Sequence, residues 1–206
     1  MTLDDLLPRI LPYLPGCPSA LARKHLLEAI RDWCEKTEIW VDDLPTVRSE
    51  AGRSDYVLNV DRHQEVIRLD HDTLNIGDVE YPIIGSHVAR AEMRTRSRGL
   101  ERFAWTNNLD DIHVWPAPSV SGLPIVLTAV LRPSEAATEI AREAVGRHAD
   151  GVCAGAIFRL QSMPKKEWTD MDSATINNAK FEEAVQRATH SASAGFRRPH
   201  LRVTEA

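Results

Sequence analysis

Asp110 and Asp111 stand just before a strand-like run that contains His113. Carboxylates beside an imidazole are the residue types that general acid–base chemistry uses. Aspartate is also common at this kind of turn for backbone reasons alone. A second candidate set is His25 and Cys34, with Cys17 able to approach either only through tertiary folding, since thiolate and imidazole are zinc ligands. His25 and Cys34 share a helical stretch and lie roughly 13 Å apart along its axis, too far to hold one ion. Buried thiols and a surface histidine are the alternative. A third set is the run Arg90, Arg94, Arg96, Arg98 and Arg102, opposed only by Glu92 and Glu101. Such a run is ordinarily a solvated face; it could also meet an acidic partner surface or line a DNA path. The five tryptophans, Trp33, Trp40, Trp105, Trp115 and Trp168, form no stripe. They read as packing in a core or subunit interface. GxGxxG, GxxxxGK[ST], HExxH, GxSxG and CxxC are all absent from the sequence, so no recognised phosphate, zinc or nucleophile motif is on offer. The expectation is a protein without catalysis, cofactor or metal.

The element that organises the chain is Pro18 to Trp40. Leu26, Ala29, Ile30, Trp33 and Thr37, with Ala22 before them and Trp40 after, recur at steps of three and four and mark a buried stripe. Ser19 is placed to cap the helix. Ahead of it, residues 3 to 14 carry leucines at helical spacing interrupted by Pro8 and Pro12, which predicts a short, broken helix. A docked hydrophobic arm is the alternative. From Val47 to Val130 the pattern is extended: strands at 56–60, 65–69, 79–84, 102–106, 112–116 and 125–131, a hairpin turn over Leu74 to Asp78, and a brief helix from Ser86 to Arg94 opened by the Ser86 hydroxyl. Helix returns over Ser134 to Leu160, split at Gly146, and again from a cap at Asp172 or Ser173 to about Ser193. Gly151 and Gly155, with Ala154, leave a face of small residues that lets another backbone approach.

These patterns predict an α+β protein. The helical bundle takes residues 1–45 and 133–195, an antiparallel β-sheet or sandwich is inserted at 46–132, and an arm follows at 196–206. The chain has 206 residues and a net charge of −5, which suits an ordinary core and argues against a general nucleic-acid binder. Three cysteines fit a reducing compartment. No apolar run is long enough for a membrane span, and the start, MTLDDLLPR, has acid where a signal peptide needs base.

The order of several motifs resembles the head-to-tail adaptor (connector) proteins of tailed bacteriophages, a group similar to the tail tubular protein A of short-tailed phages. Leu26, Ala29, Trp33, Cys34, Thr37 and Trp40 match the family's main helix, with tryptophan at 33 where the family often has phenylalanine. Pro15-Gly16-Cys17-Pro18 precedes it. Asp110, Ile112, Val114, Pro116 and Pro118 match its D-x-I-x-V-x-P-x-P strand, and Pro133 closes the following one. Gly155-Ala156, Arg159-Leu160, Met163-Pro164, Trp168 and Phe181 match its late block. The resemblance spans most of residues 10 to 190.

That resemblance implies a structural virion protein at the neck, in a ring usually of twelve copies beneath the portal protein and above tail or nozzle proteins. DNA passes through such a ring without sequence-specific binding. The locally basic C-terminal arm, with Phe196, Arg197, Arg198, His200, Leu201 and Arg202, is the segment expected to engage the portal. Two other readings stay open: a neck or tail-completion protein one layer lower, and an accessory factor for DNA packaging, which would bind DNA in a salt-sensitive way.

Overall fold

A computed structural model describes residues 1–70, 72–96 and 99–195. The elements run in the order α1 (Ser19–Thr37), β1 (Val41–Asp43), β2 (Val47–Arg48), β3 (Asp55–Val57), β4 (Gln64–Leu69), β5 (Thr73–Ile76), β6 (Val79–Pro82) and α2 (Ser86–Thr95). They continue as β7 (Phe103–Trp105), β8 (Asp111–Trp115), β9 (Pro124–Val126), β10 (Thr128–Pro133), α3 (Arg142–Val145), α4 (Ala149–Gln161) and α5 (Met171–Gly195). The class is α+β, with antiparallel sheets. The chain divides into two units: Met1–Trp40 with the chain from Pro133 on, and Val41–Arg132. Residues 41–45, expected with the helices, belong to the second unit because β1 pairs with β10 there. No helix among the described residues is long and apolar enough to cross a membrane.

In the helical unit, the stretch before α1 forms three short 3-10 turns, Leu3–Asp5, Leu7–Arg9 and Leu11–Tyr13. Pro8 and Pro12 fall at the start of the second and third turns, where a missing amide costs least. Leu3, Leu6, Leu7, Ile10 and Leu14 are buried. Helix α1 is shorter than its sequence pattern. It stops at Thr37, and Glu38 takes the left-handed conformation with its amide on the Cys34 carbonyl. Trp40 is buried but lies beyond the helix. Ser19 is the first helical residue rather than the cap; Pro18 holds that position, with no side-chain hydrogen bond.

The helix expected from Ser134 begins only at Arg142. Tertiary pairing overrides the local pattern: the Ile140 amide bonds the Met1 carbonyl, and Thr2 bridges Glu139. Helix α5 begins earlier than expected, because Asp170, not Asp172 or Ser173, accepts the Ser173 amide at 3.0 Å. Helices α1, α4 and α5 all contact one another.

The second unit holds three sheets, ordered β1-β10-β4, β2-β9-β5-β6 and β3-β8-β7. The expected hairpin turn shrinks to Gly77–Asp78. Leu74 and Ile76 are buried on either side of exposed Asn75, which is the alternation of a strand. Gly77 has φ +59, which its lack of a β-carbon permits. The single strand expected over 125–131 breaks at Leu127: β9 pairs with β2 and β5, whereas β10 pairs with β1. Helix α2 starts from Gly85, so Ser86 is not its cap.

Candidate functional site

In the helical unit, Leu26, Ala29, Ile30 and Trp33 are fully buried on α1, and Thr37 is nearly so, its hydroxyl donating to the Trp33 carbonyl at 2.7 Å. Trp33 Nε1 donates to the Ala144 carbonyl at 3.0 Å. Its ring centroid lies 5.1 Å from that of His148 and 6.3 Å from that of Phe181. Gly151 and Gly155 make the room. A β-carbon on Gly151 would lie 2.4 Å from the Ala184 β-carbon and 4.0 Å from the Trp33 ring. The expected small face therefore works within the subunit, between α4 and α5. Around Phe181, Lys36 bonds Glu182 at 2.8 Å and Arg159 bonds Asp32 at 2.9 Å. Both cations stand over the Phe181 ring, 5.2 and 5.9 Å from its centroid.

The acid–base candidates separate. Asp110 belongs to the turn before β8 and accepts from Asn108 Nδ2 at 2.8 Å. Asp111 and His113 both lie on β8, two residues apart and on one face, with Asp111 Oδ1 3.5 Å from His113 Nε2. Asn107 Nδ2 reaches the same nitrogen at 3.2 Å, and Trp105 stacks on the ring at 5.0 Å. The imidazole is therefore held by a strand neighbour, an amide and an aromatic face.

The cysteine set does not come together. Cys17, Cys34 and Cys153 are free thiols, and His25 Nδ1 lies 2.8 Å from Glu28. Among the described residues no three metal-ligating side chains cluster.

The arginine run is assembled by α2 and the segment after it. Arg90, Arg94, Arg96 and Arg102 are exposed; Arg98 lies outside the described residues. Beside them is a cavity of about 320 Å³ whose lining includes Met93, Leu100, Phe103 and Trp115. Sequence reasoning missed this cavity because its lining comes from the end of α2, a loop and two strands. Only Met93, beside the buried Glu92, hinted that α2 has an apolar flank.

The arm residues Phe196, Arg197, Arg198, His200, Leu201 and Arg202 lie outside the described residues. No family model matches the chain, and no curated protein matches it.

Proposed function

We propose that this chain is a structural virion protein, a head-to-tail adaptor. It acts as a ring of identical copies at the virion neck, between the portal protein and the tail, and continues the channel through which DNA passes. It assembles in the host cytoplasm and carries out no catalysis. The observation that carries this reading is where the resembling residues meet. Trp33 belongs to the main-helix motif, and Gly155 and Phe181 to the two ends of the late block, yet Trp33 and Gly155 both pack against Phe181. A resemblance built from core residues requires that convergence; a chance resemblance does not. The net charge of −5 also suits a channel through which phosphates must slide.

Quantitative mass spectrometry of purified virions, comparing this chain with the portal protein, tests the reading. A fixed ratio near one to one fits a ring matched to the portal. Absence from the particle overturns the proposal and favours a packaging factor. Deleting residues 196–206 tests the arm. Portal binding should be lost while the fold persists, and undiminished binding would remove the arm from the contact. Binding to tail components alone would move the chain one layer down.

A further inference from the structure

The cavity in the β unit has a divided character. Its apolar part is built by Met93 and Trp115, 41% and 42% exposed, with Leu100 and the buried Phe103. Large apolar side chains left in water around a concavity mark a contact site more often than scattered exposed ones do. Of the described basic residues only Arg96 lines the cavity; Arg90 and Arg94 are exposed on α2, and Arg102 is exposed next to Phe103 in the chain. Arg90, Arg94, Arg96 and Arg102 have no carboxylate partner among the described residues. Elsewhere several arginines pair with carboxylates, Arg9 with Asp150, Arg23 with Asp4, Arg132 with Glu65 and Arg159 with Asp32, while Arg48, Arg142 and Arg147 show no such partner among the described residues. Four neighbouring exposed cations that meet no carboxylate among the described residues make a basic patch for an outside anion.

Two carboxylates also line the cavity. Glu92 is 2% exposed and its Oε1 accepts the Leu100 amide at 3.0 Å; Glu101 lies beside Arg102. They make the cavity itself unsuited to an anion. The occupant must be neutral and apolar at the centre and negative only at the rim.

We propose that this cleft docks an acidic segment of a partner protein, which places one large apolar side chain against Met93, Leu100, Phe103 and Trp115. Its flanking carboxylates meet Arg90, Arg94, Arg96 and Arg102. A peptide can put charge at the rim and none at the centre. A nucleic acid cannot, because every nucleotide brings a phosphate. The volume of about 320 Å³ suits a side-chain anchor and lies at the small end of ligand pockets. Charge at the rim sets the rate and salt dependence of docking, and the buried anchor sets residence.

The probe is a short labelled peptide with a central leucine flanked by aspartates. Its controls are the same peptide with central serine and an oligothymidylate of equal charge. Binding is read by fluorescence anisotropy on the full chain, and its location by the indole N–H signal of Trp115, assigned with Trp115→Phe. The leucine peptide should move that signal and bind more tightly at low salt. It should lose about ten-fold or more in affinity with serine at the centre, which is the worth of a buried aliphatic group. Arg94→Glu with Arg102→Glu should cause a similar loss, and the milder Arg94→Ala with Arg102→Ala a smaller one. Equal binding of the leucine and serine peptides, tighter binding of the oligothymidylate, or an unmoved Trp115 signal would each overturn the proposal. So would self-association of the wild-type chain that the charge-reversed chain lacks, since the occupant would then be a second copy.

Discussion

Gly155 on α4 and Phe181 on α5 approach so closely that a β-carbon on the glycine would lie 2.6 Å from the phenylalanine ring. Phe181 is 1% exposed, so the ring has little room to withdraw. Alanine would gain about 1 kcal/mol in helix propensity at this position. Overpacking typically costs about 1–3 kcal/mol, and against a buried ring the upper part of that range applies. Gly155→Ala should therefore destabilise the chain, visible as a lower urea midpoint. Gly151→Ala, aimed at the Ala184 β-carbon, should do the same, and adding Ala184→Gly should restore part of the loss. Unchanged or raised midpoints in both single variants would mean that α4 and α5 are not this close.

Trp33→Phe tests the one polar contact of the organising side chain. The substitution deletes the Nε1 donor and leaves the Ala144 carbonyl without its 3.0 Å partner. It also removes ring volume from a fully buried site. The unpaired carbonyl costs about 1–3 kcal/mol, and a cavity adds to it. A loss of about 2–4 kcal/mol is expected from chemical denaturation. A near-neutral result would mean that phenylalanine fits this core as it stands, in line with the residue the resembling family often carries there.

The helical half was legible because its signal is local. Ala22, Leu26, Ala29, Ile30, Trp33 and Thr37 recur at helical steps, and all are buried. The same holds for Ala174, Asn177, Phe181, Ala184, Val185 and Ala188 on α5. What failed was decided by distant partners. Residues 134–141 have helical composition but pair with the chain start through Met1 and Thr2. Strands β9 and β10 read as one run because no local residue announces that the chain changes sheets at Leu127. The cavity beside Trp115 was invisible for the same reason: Met93, Leu100 and Trp115 belong to three separate segments. The exposed arginines were visible, but whether they had partners was not.

The thiols should react in a fixed order. Burial pushes Cys153 up to about 11, with Arg9 opposing, and also raises the more accessible Cys17. The thiolate is the reactive form. At mildly alkaline pH a disulfide reagent should label Cys17 first and slowly, and Cys34 and Cys153 only after denaturant. Stability follows from the same shift. Above pH 9.0 the unfolded chain ionises this thiol while the folded chain keeps it protonated. The folded state should lose stability from this group as pH rises from 9.0 toward about 11. Cys153→Ser, compared with wild type across that window, should show a flatter decline.

His148 gives the opposite limb of the pH curve. Burial lowers its pKa, and the neighbouring Arg147 and Arg187 lower it further. Its ring rests against Trp33 and is partly buried there, which disfavours the charged form. The sign follows from proton counting. Below the ordinary value of 6.5 the unfolded chain binds a proton at this site that the folded chain still refuses. Stability from His148 is therefore complete above 6.5 and is lost as pH falls toward the depressed folded value. Denaturation midpoints measured downward from neutral pH should fall. In His148→Gln, which cannot titrate, the fall should be shallower even if the variant starts from a lower stability. Parallel slopes for wild type and variant would assign the acid limb to other groups and show that the imidazole beside Trp33 takes up its proton without resistance.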